Sequence, residues 1–92
     1  MPTSISMTPC YHLTVITPQG LRYEGDVIHT LVPAERGFVG VLANHAAFVT
    51  SSIGGKTEIT VKDGQVRKCK AGPGFFEILD NRAVFLTQSW SE

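Results

Sequence analysis

The chain has 92 residues, with eight basic and eight acidic side chains, so its formal net charge is zero. This balance argues against a general binder of nucleic acids or anionic membranes, which would carry a basic excess. The hydrophobic share of 42% is too high for a disordered chain. Because a domain this small buries only ~60% of the surface that its unfolded chain exposes, we expect one domain with a thin core.

The start of the chain and its cysteines indicate the setting. Residues 1–10 are polar and include two prolines, which predicts a flexible N-terminal arm without the basic head and apolar run of a signal peptide. Two cysteines, Cys10 and Cys69, are fewer than a small secreted domain usually has. We interpret both as reduced thiols in a cytoplasmic setting, with a single bridge between them as the alternative. No run approaches the ~20 apolar residues that span a membrane.

Period-two alternation predicts short β-strands in the first half of the chain. In YHLTVIT, Tyr11, Leu13 and Val15 fall on one face of the first predicted strand. The segment TPQG (residues 17–20) predicts a turn. The segment LRYEGDVIHTLV then predicts a second strand with a bulge or bend at Gly25, which Pro33 ends.

The second half repeats this pattern. The segment KTEITVKDGQVRKC predicts a hairpin with a two-residue turn of positive φ at Asp63-Gly64. A second pair of strands, GFFEIL and AVFLT, is predicted around Asp80-Asn81. Since no segment has a sustained helical period, we predict an all-β sandwich or barrel over residues 11–88, followed by a C-terminal tail at residues 89–92.

Two of these segments, GFFEIL and GVLANHAAFV, have apolar residues on both faces. In a two-layer sandwich the chain itself covers only the inner face of each strand. One hypothesis is therefore that an apolar outer face docks onto a partner. The alternative is that twisted strands place these residues in a core that the sequence pattern does not resolve.

Groups that would support catalysis are scattered. The three histidines have no zinc-motif spacing, and no nucleophile elbow or phosphate-binding loop is present, so we predict a protein without catalytic residues, metal or cofactor. We interpret His45, which follows Asn44 in a glycine-bounded apolar stretch, as a buried or half-buried imidazole that holds a turn through backbone hydrogen bonds. The enzymatic alternative is a minimal hydrolase that uses His45 with Glu35 or Asp80.

Basic side chains gather around one predicted hairpin. They are Lys56, Lys62, Arg67, Lys68 and Lys70. We interpret them as a solvated edge whose charges discourage aggregation, because no aromatic platform lies among them. The alternative function is a small β-barrel that binds oligonucleotides through the hairpin at residues 62–70.

The order of several motifs points to a known family. The segments are LTVITPQG, YEGDV, Pro33, GFVGVLANHAAF, SIG, DG and AGPGFFEILDNRAVFLT. Together they resemble the N-terminal domain of the epsilon subunit of F-type ATP synthases, from Tyr11 to about Thr87. The resemblance implies a two-layer β-sandwich of about ten short strands. It also implies a non-catalytic subunit of the central stalk, or rotor, which links the gamma subunit to the c ring and couples proton or sodium flow to ATP synthesis.

The resemblance also implies roles for individual residues. The loop that faces the c ring corresponds to Glu35, Arg36, Gly37, Phe38, Val39 and Gly40. Phe38 lies where the family often has an acidic residue. The resemblance implies that Asn44 and His45 set a turn near the rotor contact. Candidate gamma-facing residues are Phe48, Phe75, Phe76 and Ile78.

Further expectations follow from the same resemblance. The chain is expected to be a peripheral membrane protein, attached through its partners on the cytoplasmic face or the equivalent stromal or matrix face. Many family members continue into two C-terminal helices that restrain ATP hydrolysis and in some bind ATP, whereas this sequence ends at Glu92. We therefore predict neither property here. The segment LDNRA (residues 79–83) spells the theme of that nucleotide-binding helix, but it falls on a predicted strand turn.

Overall fold

The computed structural model describes residues 8–92. Most of the predicted N-terminal arm, residues 1–7, therefore lies outside the described residues. Within residues 8–92 the chain forms nine β-strands. They are β1 (Tyr11–Thr17), β2 (Gly20–Ala34), β3 (Gly37–Leu42), β4 (Phe48–Ser52), β5 (Gly55–Val61), β6 (Val66–Ala71), β7 (Gly74–Leu79), β8 (Arg82–Thr87) and β9 (Trp90–Ser91).

The 15-residue strand β2 belongs to both layers of the fold. Its first half pairs with β1, which continues through β8 and β7 to β4. Its second half pairs with β3 on one side and with β5 on the other, and β6 and β9 follow. The predicted all-β, two-layer sandwich is confirmed, and a shared strand ties its layers together covalently.

Alternate residues of the strands fill the space between the layers. Phe76 and Phe85 meet edge to face with ring centroids 5.9 Å apart, and Trp90 packs against Phe85 at 6.2 Å. These contacts extend the core into residues 89–92, the predicted C-terminal tail. Trp90 pairs with Ala71 of β6 and is only 7% exposed. Its large apolar ring stabilises the sandwich because it is withdrawn from water.

One of the two predicted hairpin turns has the expected residues, and the other is longer than expected. Asp80 and Asn81 both have positive φ, at 49° and 60°, and form a two-residue turn between Leu79 and Arg82, which pair directly. The Asp63-Gly64 turn is longer than the predicted two residues. The Val61 N–H donates to the Gln65 carbonyl at 2.9 Å, so three residues lie in that loop.

Candidate partner-binding surfaces

An exposed apolar band crosses the outer face of the layer that contains β1, β7 and β8. Phe75 pairs with Leu86, Leu86 with Ile16, and Ile16 with Leu21, so one row of side chains spans four strands. We call these four residues the outer band. Phe75 is 59% exposed, Leu86 50%, Ile16 37% and Leu21 59%. Contiguous apolar surface of this kind is typical of protein-binding sites.

The structure corrects two of the four candidate gamma-facing residues. Phe76 and Ile78 are fully buried between the layers, because they point inward on β7 where Phe75 points outward. Their side chains are therefore unavailable to a partner. Phe48 is half-buried and packs against the core. Phe75 alone of the four is largely exposed.

The sequence reasoning missed three members of the outer band. Ile16, Leu21 and Leu86 are apolar residues adjacent to buried positions or turns. The signal was present in the strand pattern: Ile16 follows the buried Val15, and Leu86 follows the buried Phe85. In a two-layer fold the neighbour of an inward residue points outward, so each of these residues had to lie on the outer face.

The predicted c-ring loop forms the tip of the β2–β3 hairpin. Glu35 and Arg36 occupy the exposed turn, and Gly37 follows with a φ of 121°, a conformation that favours glycine. Phe38 comes next and is 58% exposed. An apolar ring at the end of a short, charged turn is a distinct feature, separate from the outer band.

The remaining two residues of the predicted loop offer a partner little side-chain surface. Val39 is half-buried and packs against the core. Gly40 lies under the imidazole of His29: a β-carbon added at Gly40 would come within 2.9 Å of His29 Nε2. The surface that a partner would meet at this hairpin therefore consists mainly of residues 35–38.

Asn44 and His45 lie in the β3–β4 connection. The His45 N–H donates to the Leu42 carbonyl at 3.3 Å, and His45 Nδ1 lies 2.8 Å from the Ala46 carbonyl oxygen. Since a carbonyl only accepts, Nδ1 carries the proton in that hydrogen bond. The imidazole centroid is 5.4 Å from that of Phe48. These contacts hold the connection in shape.

The position of His45 differs from the expected one. The connection lies at the end of β3 opposite to the hairpin tip, about 17 Å away along five residues of strand. His45 is therefore remote from Glu35, and the predicted turn-setting pair is not adjacent to the c-ring loop. Asp80 does line the same shallow groove as His45. Glu35 is therefore too far from the imidazole to act with it, as the first form of the hydrolase alternative requires.

An ionic cluster lies on the same outer face as the band. His12 Nε2 is 2.9 Å from Glu24 Oε2, and His12 Nδ1 is 3.4 Å from Asp26 Oδ1. The hydrogen bond to Glu24 raises the pKa of His12 above its usual value, and Asp26 adds to that effect against the opposing effect of burial. Sequence reasoning missed this cluster because its members come from two strands.

The basic hairpin is partly neutralised by its neighbours. Arg67 forms an ion pair with Glu92, and its guanidinium carbon lies 5.2 Å from the centroid of the Tyr23 ring. Glu58 pairs with Lys68 across β5 and β6. Of the five basic side chains, Arg67 is therefore paired with a carboxylate and Lys68 lies opposite one. Because these carboxylates reduce the positive charge available to phosphates, the arrangement does not favour the oligonucleotide-binding alternative.

The described part of the chain has neither a metal-binding cluster nor a membrane-spanning helix. Within residues 8–92, no three His, Cys, Asp or Glu side chains gather as a metal site would require. The same residues contain no helix with the length and apolarity to cross a bilayer. Both cysteines are free thiols; Cys69 is buried and Cys10 is half-buried.

Comparison with known proteins gives a consistent result. A family model described as the beta-sandwich domain of the ATP synthase delta/epsilon chain matches residues 10–92. An ATP synthase epsilon chain of Chlorobaculum tepidum is 29% identical over 86 residues, which make up 94% of this chain and 98% of that protein. An ATP synthase epsilon chain of Sulfurihydrogenibium sp. is 31% identical over 78 residues, covering 85% of this chain and 58% of that protein.

The chain thus spans nearly the whole of one relative and little more than half of the other. A solved chain of the Euglena gracilis mitochondrial ATP synthase (OSCP/F1/c-ring) superimposes with a TM-score of 0.79 at 21% identity, covering 85% of this chain and 50% of that one. A likeness at this identity shows a shared fold. The named relatives are epsilon chains, which are structural or regulatory subunits rather than the catalytic one. The chain belongs to the family of ATP synthase delta/epsilon chains and corresponds to their β-sandwich domain.

Proposed function

We propose that this domain works in the central stalk of an F-type ATP synthase, where it joins the gamma subunit to the c ring and helps couple proton or sodium flow to ATP synthesis. The observation that supports this most strongly is that one body presents two separate apolar surfaces, the outer band and the hairpin tip. A subunit that links two neighbours needs two such surfaces. Attachment to the membrane would then be peripheral and through these partners, on the cytoplasmic or equivalent face.

The outer band is the surface we assign to the gamma subunit. Its row of four side chains is continuous, because it follows the hydrogen-bonded register of β7, β8, β1 and β2. Burial of an apolar side chain contributes about 1.5–3 kcal/mol relative to exposure. Even half of that for each of four residues, about 3–6 kcal/mol, is a substantial part of a stable contact.

The hairpin tip is the surface we assign to the c ring. Phe38 offers an apolar contact, and Glu35 and Arg36 beside it offer charges of both signs. Arg36 can form an ion pair with a carboxylate of the partner, and Glu35 can form one with a basic side chain of the partner. Phe38 replaces the acidic side chain that is frequent in the family, so we expect an apolar contribution to this contact.

The shared strand β2 supports the coupling role. The first half of β2 carries Leu21 of the outer band, and its end leads directly into the hairpin tip. A displacement at one surface is therefore transmitted along a single strand, which is hydrogen-bonded to β1 in its first half and to β3 and β5 in its second half. Close-packed interiors deform little, so the domain can pass torque without absorbing it.

Co-purification of the tagged full chain with its source ATP synthase tests this proposal. We expect the wild-type chain to retain the gamma and c subunits. Leu86→Glu should reduce recovery of gamma, and Phe38→Ser, which removes the apolar ring without introducing an acidic group, should preserve gamma while reducing recovery of the c ring. Val66→Glu, at a residue 50% exposed on β6, is the matched control and should behave as wild type. Recovery of neither subunit by the wild-type chain contradicts the proposal.

Vesicles provide the functional test. Membranes that lack this chain should show ion flow without matching ATP synthesis, and addition of the wild-type chain should restore coupling. We expect Leu86→Glu to restore it poorly and Val66→Glu to restore it fully. Equal coupling with and without the chain would contradict the coupling role even if the chain binds.

A further inference from the structure

The β4–β5 turn, residues 52–55, lies beside the base of the β2–β3 hairpin. Ala34, the last residue of β2, pairs with Gly37 on one side and with Ser52 on the other. Neighbouring strands are about 4.8 Å apart, so the backbones of Gly37 and Ser52 are separated by about 10 Å. The hairpin tip and the β4–β5 turn therefore form one end of the sandwich.

Ile53 is the exposed apolar residue of this turn. It is 61% exposed, which is close to the 58% of Phe38. Phe38 follows Gly37 in the chain and Ile53 follows Ser52, and Gly37 and Ser52 are the two residues that pair with Ala34. Phe38 and Ile53 thus each lie one residue beyond a partner of Ala34, on opposite sides of β2.

The turn that carries Ile53 is firmly held. The Ser52 hydroxyl donates to the Pro33 carbonyl at 2.6 Å, and the Gly54 N–H donates to the Ser52 hydroxyl oxygen at 3.2 Å. Gly54 has a φ of 87°, and a β-carbon there would lie 2.8 Å from the Gly72 carbonyl carbon. The turn therefore packs tightly on the β6–β7 connection. Since the backbone is already ordered, a partner that covers Ile53 loses little conformational entropy.

We propose that Ile53 is a second anchor for the partner that contacts Phe38, which is the c ring if the proposed function holds. Both exposed side chains lie at one end of the sandwich, on either side of Ala34, which supports a single occupant for both. Two anchors about 10 Å apart resist rotation about either one. A contact that transmits torque needs this property, and a single exposed ring at the hairpin tip does not supply it.

Photocrosslinking in the assembled ATP synthase tests this inference. The full chain would carry p-benzoylphenylalanine in place of Phe38, Ile53 or Val66 in three separate variants. Val66 is the control, since it is similarly exposed but lies at the other end of β6 from the Ala71–Gly55 pair. We expect the photoreactive group at positions 38 and 53 to capture the c subunit, and that at position 66 to capture none.

The outcomes separate this inference from the proposed function. Capture of the c subunit from position 38, with none or another subunit from position 53, overturns the inference and leaves the proposed function intact. Failure at both positions overturns the c-ring assignment and the inference with it. As a second readout, Ile53→Ser should weaken binding of the full chain to the gamma–c-ring complex about tenfold, whereas Val66→Ser should not.

Thermal unfolding distinguishes a lost contact from a loss of stability. Because Ile53 is exposed in the free chain, Ile53→Ser should leave the thermal midpoint within the range of the Val66→Ser control. Weakened binding with an unchanged midpoint then reports a lost contact. Unchanged binding by Ile53→Ser overturns the inference.

Discussion

Asn44 and Asn81 exchange hydrogen bonds between two turns that lie 37 residues apart in the sequence. The Asn44 backbone N–H donates to Asn81 Oδ1 at 2.6 Å, and Asn81 Nδ2 donates to Asn44 Oδ1 at 3.0 Å. Both residues have positive φ, at 66° and 60°. Asparagine tolerates this conformation better than most residues do, and here its side chain also joins the β3–β4 connection to the β7–β8 turn.

Two substitutions of Asn81 separate these contributions. Asn81→Gly removes both hydrogen bonds but keeps the left-handed backbone free of strain, so we expect a loss of about 1 kcal/mol in the free energy of unfolding. Asn81→Ala also places a β-carbon in the left-handed region, which adds about 1–2 kcal/mol. Urea denaturation of both variants measures the difference. Equal destabilisation would show that the backbone conformation contributes nothing.

A second pair of substitutions tests the close packing of β7 against β8. A β-carbon at Gly74 would lie 1.9 Å from the Leu86 carbonyl oxygen, a contact that backbone cannot relieve by a small shift. We expect Gly74→Ala to lose about 3 kcal/mol or more, or to prevent folding. Gly20→Ala is the control, because Gly20 has a φ of 115° with no atom within 4 Å of the added carbon. It should lose only about 1–2 kcal/mol.

The strands were predictable from the sequence because their alternation is local. YHLTVIT corresponds to β1 without change, and the hairpin around Asp80-Asn81 has the expected pair of residues. The division of β2 between two layers was not predictable, nor was the parallel pairing of β1 with β8, which joins strands far apart in sequence. Local periodicity contains no register between remote strands.

The same limit of local sequence patterns applies to the candidate partner-binding surfaces. The loop at residues 35–40 was assigned through the family resemblance, and the structure has the β2–β3 turn at residues 35–36 with residues 37–40 already in β3. The predicted gamma-facing residues included both Phe75 and Phe76. Neighbouring residues of a strand point to opposite faces, so these two side chains cannot belong to one surface. Only the burial of Phe76 and Ile78 decides which face is inward. The outer band depends on the pairing of β7, β8, β1 and β2, which no single segment encodes.

The two cysteines should differ sharply in reactivity. Cys69 is 5% exposed, and burial raises the pKa of its thiol to about 11. At pH 8 only about 0.1% of that thiol is ionised, and the thiolate is the reactive form. We expect an aromatic disulfide reagent to label the half-buried Cys10 within minutes and Cys69 only after unfolding. Labelling of a Cys10→Ser variant isolates Cys69, and rapid labelling of that variant in the folded state would contradict this prediction.

The ionic cluster around His12 should make stability depend on pH. Both ring nitrogens of His12 face carboxylate oxygens, of Glu24 and Asp26, and only the doubly protonated imidazolium donates to both. Arg82, which pairs with His12 across β1 and β8, is the nearest aligned cation, and Asp80 and Cys10 line the same groove. The carboxylates outnumber the cation, so protonation of His12 is favoured in the folded chain.

The sign follows from the raised pKa of His12. The folded state binds the proton more tightly than the unfolded state, so the stabilisation is complete below the unfolded pKa of about 6.5 and is lost as pH rises through the folded pKa. Because the side chains are 38%, 50% and 53% exposed for His12, Glu24 and Asp26, we expect only about 0.2–1 kcal/mol. Urea denaturation of wild type and His12→Gln at pH 5.5 and pH 9 measures the difference.

Proton NMR titration of the His12 ring provides the direct check. We expect its pKa to lie above the usual value in the wild type, to fall most in Glu24→Gln, and to fall less in Asp26→Asn, because the hydrogen bond to Glu24 is the larger contribution. A His12 pKa unaffected by both substitutions would mean that the cluster does not hold the proton, and the stability difference between pH 5.5 and pH 9 should then vanish as well.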